Sequence, residues 1–365
     1  MNTATKTPAE QGYVMPAEWQ RHEATWLAWP HHKADWPGKF APIPWIFAEI
    51  VRHIAAAEKV HLLVQDAAEQ AKAKRTLERG AVSLENIVWH RKRTDRIWTR
   101  DSAPSFVVKQ TGRGEGKVGM VGWHFNAWAK YDNYKQDCQL PAYVAKALKL
   151  PLWKPTVEAE GKARTMVLEG GSIDVDGCGS VLTTEECLLS EVQQRNPGAS
   201  REAVERSLMD YLGVRQVLWL DRGIAGDDTH GHIDDTARFT SAETIVACVE
   251  PNRNDANHEP LAENVKRLKA MRSSTGRPFN IVELPLPEPV VFDGQRLPAS
   301  YANFYVCNAG VLVPVFNDAA DGAALRLLEE CFGPQRKVIP IYCRDLVWGL
   351  GTLHCMTQQQ PAATA

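Results

Sequence analysis

The sequence predicts a mixed α/β fold built around one large core. Helical and strand-like patterns alternate along its 365 residues, and no Gly/Ser-rich or Pro-rich linker divides them. By length the chain could form two domains or one large closed architecture, and the uninterrupted pattern favours a single domain over residues 13–358. Hydrophobic residues make up 44% and charged residues 24% of the chain, which is typical of a globular protein that folds without disulfides or a structural metal.

The individual elements follow from local patterns along the chain. Residues 43–57 place apolar side chains at helical spacing, and residues 60–64 predict a short buried strand. Pro141 suits the first position of a helix over residues 141–149. Ser200 is a candidate N-cap of a helix over residues 201–212, and Gly213 is placed to end it. The remaining predictions are strands over 214–220, 244–249 and 310–316, and a helix near 323–331.

Charge and cysteine content narrow the class of protein. Lys and Arg number 42 against 44 Asp and Glu, without a basic stripe, so a nucleic-acid partner is not expected. No apolar run approaches the roughly 18–20 residues that cross a bilayer, and the polar residues 1–12 contain no signal-peptide core. Eight scattered cysteines without a CxxC pair predict free thiols in the cytoplasm. The two ends, residues 1–12 and 359–365, are expected to be mobile tails.

The densest group of polar residues is the segment 227–235, which reads Asp-Asp-Thr-His-Gly-His-Ile-Asp-Asp. A solvated loop is one interpretation of it. A zinc site is a second, because His230, His232 and Asp234 offer nitrogen and oxygen ligands. The third interpretation makes His232 a general acid and base while Asp234 holds a cation. Alternate residues of an extended segment point to one face, so both side chains can reach one cavity.

Three other segments could carry chemistry. Segment 98–101 (Trp-Thr-Arg-Asp) contains an Arg–Asp pair, which is usually a surface salt bridge. Segment 169–171 (Glu-Gly-Gly) fits either a plain hairpin loop or a turn that lets the backbone approach a ligand. Segment 354–357 (His-Cys-Met-Thr) follows a Gly-rich stretch that could expose its thiol, although a lone cysteine is most often buried and inert.

Together these segments predict a cationic substrate. Carboxylates raise the pKa of a nearby thiol, so they cannot activate the thiol by themselves. A guanidinium presents several N–H donors in one plane, and carboxylates match them in bidentate geometry. Once bound, its positive charge would favour the thiolate, which attacks the central carbon. His232 would then protonate the departing ammonia and activate the hydrolytic water.

In their order along the chain, these segments and others resemble the agmatine deiminase family of the guanidine-modifying (pentein) superfamily. The similarity covers most of the chain, and the ordered set is much more specific than any single motif. The motifs are MPAEW (15–19), TWLAWP (25–30), WTRD (98–101), FNAW (125–128), LEGG (168–171), THGHIDD (229–235), SYANFY (300–305) and GTLHCMTQQQP (351–361).

The resemblance implies a five-bladed, pseudo-symmetric α/β propeller of ββαβ units around a central active site. It also implies that Cys355 is the nucleophile, that His232 is the general acid and base, and that Glu169 is a catalytic carboxylate directed at His232 and the guanidinium. Asp101 and Asp234 match the pair that grips the guanidinium. The aromatic residue near the substrate corresponds to Trp98.

The activity implied is hydrolysis of agmatine to N-carbamoylputrescine and ammonia through a covalent amidino-thioether on Cys355, a step toward putrescine. No metal or organic cofactor is expected, and the partner is a small cationic guanidine. Arginine or peptidyl-arginine is the alternative substrate. A zinc-dependent hydrolase using His230, His232 and Asp234 stays open, as does an inactive polyamine-binding protein. A homodimer is expected on general grounds, and a membrane partner is not.

Two positions depart from the family's usual pattern. Ala103 stands where Gly is usual, and it would strain the turn that carries Asp101 if that position requires a positive φ. Residues 350–353 read Leu-Gly-Thr-Leu where Gly-Gly-Asn-Ile is common. This change is expected to alter the pocket near Cys355.

Overall fold

A computed structural model describes residues 6–109 and 116–363. Strands alternate with helices throughout, so the predicted mixed α/β class is confirmed. Residues 1–5 and 364–365 of the two predicted tails lie outside the described residues. Within the part of the chain that is described, no helix combines the length and the apolar character needed to span a membrane.

The two ends of the chain meet in a four-stranded sheet. Its strands lie in the order β20 (Gln358–Pro361), β1 (His22–Ala28), β2 (Lys59–Val64) and β3 (Ile87–Arg91), and its connections contain α1 (Ile43–Ala55) and α2 (Ala67–Arg79). β20 is antiparallel to β1, whereas β1, β2 and β3 are parallel. The helix predicted over 43–57 therefore exists and ends two residues earlier, with its apolar face buried in the largest core cluster.

Four three-stranded sheets in the described residues repeat one order of elements. Two strands form an antiparallel pair, a helix follows, and the third strand lies parallel to the second. The elements are β4 (Ser105–Lys109), β5 (Lys117–Val121), α4 (Leu140–Leu148) and β6 (Leu152–Trp153); β9 (Asp174–Val175), β10 (Ser180–Thr184), α5 (Glu185–Leu189), α6 (Arg201–Leu212) and β11 (Gln216–Leu220); β12 (Ala237–Phe239), β13 (Thr244–Val249), α7 (His258–Ala270) and β14 (Asn280–Pro285); and β17 (Tyr305–Cys307), β18 (Gly310–Val315), α8 (Asp321–Phe332) and β19 (Val338–Tyr342).

The first sheet has the same pattern when it is followed through β20, β1, α1 and β2. The described residues thus contain five units with the ββαβ connectivity that the resemblance implies. Their arrangement as blades around one axis stays a prediction.

The other elements are the short helix α3 (Thr99–Ser102) and two hairpins, β7 (Thr156–Ala159) with β8 (Lys162–Thr165) and β15 (Val291–Phe292) with β16 (Gln295–Arg296).

Capping residues fix the ends of α6 as the sequence predicts. The Ser200 hydroxyl accepts a hydrogen bond from the Ala203 amide at 3.3 Å. Gly213 adopts a left-handed φ of 69°, and its amide donates to the Met209 carbonyl at 3.0 Å. The strand predicted over 244–249 is also confirmed at both ends.

The prediction of a mobile C-terminal tail from residue 359 is wrong at its boundary. Gln358–Pro361 forms β20, which is buried and pairs with β1. The Gln360 side-chain oxygen accepts from Trp26 Nε1 at 3.0 Å, and that of Gln359 accepts from Arg100 Nη1 at 2.6 Å. A run of polar residues suggested exposure, but buried amides are stable where hydrogen bonds satisfy them.

Candidate active site

Five short segments supply a buried polar cluster, and each precedes the first strand of one of the five units. They are α3 before β4, the 3-10 turns Gly170–Ser172 before β9 and Ile233–Asp235 before β12, residues 300–303 before β17, and residues 352–355 before β20. The structure thereby brings together residues that lie far apart in the sequence. Every predicted site residue belongs to this cluster or lines its pocket, namely Cys355, His232, Glu169, Asp101, Asp234 and Trp98.

Asn303 holds the loop that carries Cys355. Its side-chain Nδ2 donates to Cys355 Sγ at 3.1 Å and to Asp235 Oδ1 at 2.9 Å. Its side-chain oxygen accepts from the His354 amide at 3.0 Å and from the Thr352 hydroxyl at 2.8 Å. One amide group thus ties the thiol, the preceding loop and a carboxylate to one another.

Carboxylates surround the Cys355 thiol. Sγ donates to Asp234 Oδ2 at 3.7 Å, and Asp235 and Asp101 lie nearby. Burial, together with Asp234, Asp235 and Asp101, raises the pKa of Cys355 well above its usual value. The thiol is therefore protonated at neutral pH until positive charge enters the cluster.

His232 and Glu169 form a buried pair that Arg195 completes. His232 Nε2 lies 3.4 Å from Glu169 Oε2, and Arg195 Nε donates to both Glu169 oxygens at 3.2 and 3.3 Å. Burial opposes ionisation of Glu169, but Arg195 and His232 hold its pKa below the usual value. Burial also opposes protonation of His232, but Asp101, Cys187 and Glu169 raise its pKa well above the usual range. The pair is thus an imidazolium and a carboxylate at neutral pH.

Two buried polar atoms in the cluster have no hydrogen-bond partner among the described residues. They are His232 Nδ1 and Asp234 Oδ1, which lie 4.0 Å apart. Asp101 Oδ1 is also close, at 3.9 Å from the same Nδ1. A buried polar atom is stabilised by a partner, so Asp234 Oδ1 marks a place where an N–H group of a ligand fits, and the protonated Nδ1 of His232 can donate to the ligand.

Asp101 is held in place by hydrogen bonds from Trp128 and Gly171. Trp128 Nε1 donates to Asp101 Oδ2 at 2.9 Å, and the Gly171 amide donates to Oδ1 at 3.0 Å. Trp128 lies in a left-handed turn, because residues 127–129 have φ values of 52°, 59° and 52° without any glycine. Burial and the neighbouring Asp234 and Glu169 raise the pKa of Asp101 to about 6, against the opposing effect of His232.

A pocket leads from Cys355 and Asp101 toward solvent. Trp98 and Trp128 contribute aromatic surface to it, and Leu350 adds an aliphatic side chain. Its other polar side chains are those of Arg96, Asp228 and Thr229. An aromatic and carboxylate lining of this kind suits a slender cationic ligand.

The alternative zinc ligands are not brought together. His230 Nε2 pairs with Ser190 Oγ at 3.1 Å, and its Nδ1 lies 3.9 Å from Glu186 Oε1, in a separate surface depression. Within the described residues, groups of His, Cys, Asp and Glu close enough to share an ion include His232 or Asp234, but none includes His230. The predicted set His230, His232 and Asp234 is therefore wrong as a metal site, because the two histidines face different surroundings.

The two departures from the family pattern have different outcomes. Ala103 has φ −82° and ψ 163°, so it needs no glycine and puts no strain on the turn that carries Asp101. Leu350 adopts a left-handed φ of 68° and lines the pocket. Its side chain is therefore part of the pocket near Cys355, and the expected change relative to the family's usual pattern stays a prediction.

Replacing Gly171 by Ala is expected to lower activity about 10²-fold, because even a small displacement of reacting groups slows an enzyme. A Cβ at this position would lie 2.6 Å from His232 Nδ1 and 2.8 Å from Asp101 Oδ1, both rigidly held. Gly322→Ala in α8 is the matched control, since its Cβ would meet only Arg326 Nη1 at 3.5 Å. Steady-state ammonia release compares the two, and equal activities would contradict the assignment of this space to the reaction.

Several residues of the cluster were not predicted as site residues. Four of them lie within motifs of the family resemblance, namely Asn303, Trp128, His354 and Glu18. The motifs therefore pointed to these positions but did not indicate what each residue does. Arg195 lies outside every motif. Its partner Glu169 is 26 residues away, and nothing in the local sequence indicates that contact.

Sequence and fold similarity identify relatives of the chain. The family described as Porphyromonas-type peptidyl-arginine deiminase matches residues 14–361. The agmatine deiminase of Stutzerimonas stutzeri (strain A1501) is 36% identical over 99% of each chain. Among solved structures, the agmatine deiminase of Enterococcus faecalis is 30% identical, with a TM-score of 0.88 over 99% of each chain. A substrate-bound Cys-to-Ser variant of the C. jejuni agmatine deiminase is 28% identical, with a TM-score of 0.82 over 97% of each chain. The resemblance seen in the motifs is confirmed, and the chain belongs to the Porphyromonas-type peptidyl-arginine deiminase family.

Proposed function

We propose that this protein is an agmatine deiminase, which hydrolyses agmatine to N-carbamoylputrescine and ammonia. The observation that carries the proposal is a buried thiol enclosed by Asp101, Asp234 and Asp235, beside the imidazolium of His232. Such a thiol is unreactive until a cation binds. A guanidinium is the cation whose planar N–H groups fit two carboxylates at once. The full-length similarity to agmatine deiminases supports the same substrate.

In the first proposed step, the guanidinium binds between Asp101 and Asp234. Its N–H groups donate to Asp234 Oδ1, which is otherwise unpartnered, and to the Asp101 carboxylate. The bound charge offsets the carboxylates, so the Cys355 thiol loses its proton through the pocket to solvent. The thiolate then attacks the central guanidinium carbon and forms a carbon–sulfur bond.

In the second proposed step, His232 moves two protons in opposite directions. Its Nδ1 donates a proton to one amino group of the tetrahedral adduct, and ammonia leaves with the carbon–nitrogen bond pair. An amidino-thioether on Cys355 remains. The neutral imidazole then takes one proton from the attacking water, whose oxygen forms a bond to the carbon. The carbon–sulfur bond pair returns to Sγ, the hydroxyl proton of the adduct restores the Cys355 thiol, and N-carbamoylputrescine departs. Glu169 acts through His232, because it holds Nε2 and leaves Nδ1 toward the reacting atoms.

The polar groups of the pocket favour agmatine over arginine. Arg96 could bind an α-carboxylate, but its Nη1 is paired with Asp35 at 2.9 Å and its Nη2 donates to Asn133 at 3.3 Å. Asp228 accepts hydrogen bonds from the exposed Lys130 and from Tyr131. The ammonium end of agmatine can replace Lys130 on Asp228, whereas the carboxylate of arginine would meet like charge there.

Asp228→Asn is expected to raise the KM for agmatine about tenfold and to change kcat little, because the lost charge would act on the ammonium end of agmatine and not on the reacting carbon. Asn keeps an oxygen that accepts from Tyr131. Asp132→Asn, at an exposed neighbouring position, is the control. Steady-state ammonia release at varied agmatine concentration measures both, and an unchanged KM in the Asp228 variant would remove this residue from the binding site.

Ammonia release from agmatine and from arginine, each with and without EDTA, tests the proposed function. Release from agmatine that EDTA does not affect is the expected result. Loss of activity with EDTA would contradict the proposed mechanism, which uses no metal, and release from arginine alone would favour a different guanidine. Agmatine binding by calorimetry without any ammonia release would indicate an inactive binding protein.

We further propose that the protein acts in the cytoplasm, on a route to putrescine, and that it forms a homodimer. The cysteines of the described residues are all free thiols, in keeping with a reducing compartment. Cell fractionation tests the location, and light scattering of the purified protein tests the dimer.

A further inference from the structure

A buried line of hydrogen bonds connects Asp234 to the N-terminal part of the chain through His354. The imidazole Nδ1 lies 2.7 Å from Asp234 Oδ2, and Nε2 lies 2.8 Å from Glu18 Oε2. All three side chains are buried. Glu18 also accepts from Arg100 Nη2 at 3.1 Å and from the Val306 amide at 2.8 Å, and it forms an ion pair with Arg238 at 3.1 Å. No step of the reaction described above uses His354.

The two partners of His354 are both held in the ionised form. Burial opposes ionisation of Glu18, but Arg238, His354 and Arg100 hold its pKa well below the usual value. Burial also opposes ionisation of Asp234, but His354 holds its pKa below the usual value. Both groups are then carboxylates, which only accept hydrogen bonds, and the ring of His354 lies between them within hydrogen-bond distance of each.

The geometry points to His354 as a positioning residue that holds Asp234 with one oxygen turned toward the substrate guanidinium. His354 occupies Oδ2, and Oδ1 stays without a partner beside His232 Nδ1. Without His354, the Asp234 carboxylate could rotate, and both of its oxygens would be available to the Cys355 thiol. This inference rests on the proposed function, because it assigns Asp234 to the binding of the guanidinium.

The position of His354 in the chain couples this contact to the nucleophile. His354 directly precedes Cys355, and its amide donates to the side-chain oxygen of Asn303 at 3.0 Å. The imidazole and the thiol both approach Asp234 Oδ2, at 2.7 and 3.7 Å. The same short segment therefore sets the orientation of the carboxylate and the place of the sulfur.

Two substitutions of His354 separate its two contacts. His354→Asn places a donor near the position of Nδ1 and keeps the bond to Asp234, whereas His354→Gln places a donor near Nε2 and keeps the bond to Glu18. The Gln variant is expected to raise the KM for agmatine at least about tenfold above that of the Asn variant, with a smaller difference in kcat. In an Asp234→Asn protein, His354→Gln is expected to add little further loss, because the two side chains act together.

Thermal unfolding of both variants distinguishes positioning from a purely structural role. Equal KM values for the Asn and Gln variants, or a Gln variant that alone fails to fold, would overturn the inference. Both changes are also made in a Cys355→Ser protein, where calorimetry measures agmatine binding without turnover. The two proposals can fail separately. If the unmodified enzyme released no ammonia from agmatine, the proposed function would fail. The role of His354 would still stand if the Asn variant bound agmatine about tenfold more tightly than the Gln variant.

Discussion

Cys355→Ser is expected to abolish ammonia release from agmatine, with a loss on the order of 10⁴-fold or more. A serine hydroxyl is far less acidic than a thiol, so the bound guanidinium cannot convert it to a nucleophile. The substitution removes no hydrogen-bonding group, because a hydroxyl can still accept from Asn303 and donate to Asp234. The measurement is single-turnover and steady-state ammonia release with saturating agmatine.

Cys178→Ser is the matched control for this change. Cys178 is exposed and lies outside the pocket, so its variant should retain full activity. Calorimetry should show that the Cys355 variant still binds agmatine, which separates a lost nucleophile from a lost fold. Appreciable turnover by the Cys355 variant would rule out covalent catalysis at this sulfur.

His232→Asn is expected to lower kcat by about 10²–10⁴-fold, the usual contribution of a general acid and base. Asn cannot exchange a proton near neutral pH, so neither the departure of ammonia nor the attack of water is assisted. The KM should change less than kcat, since the carboxylates rather than His232 bind the cation. Ammonia release over a range of agmatine concentrations gives both constants.

His230→Asn is the control for this substitution because it lies two residues away on another surface. Its left-handed φ of 65° is one that Asn tolerates, so the loop should keep its shape. We expect near-normal activity. A loss equal to that of His232→Asn would instead show that the effect comes from disturbing this loop and not from the lost imidazole of His232.

Local signals in the sequence predicted much of the fold. Ser200 and Gly213 define the ends of α6 because a cap and a left-handed glycine are local features. The six predicted site residues lie close together in the structure. They could be predicted because they belong to an ordered set of family motifs, and the fold brings those motifs together. The turn at 127–129 lacked such a signal, since its left-handed residues are Ala, Trp and Ala and owe their conformation to surrounding contacts.

Long-range contacts also explain what the sequence could not predict. Arg195 pairs with Glu169 only because two loops meet in the folded chain, and no spacing rule connects them. The five units share a strand order without a repeat visible in the sequence, because different apolar residues can fill equivalent core positions. Gln358–Pro361 resembles a solvated tail until β1 provides its partner.

The pairing of β20 with β1 links catalysis to the meeting of the two chain ends. Cys355 lies three residues before β20, so the proposed nucleophile is expected to reach its place only when that strand has docked on β1. Contacts of such large sequence separation form late, because the intervening loop must close first. A partly synthesised chain, or one in which this sheet has opened, is therefore expected to lack deiminase activity even when the four three-stranded sheets are intact.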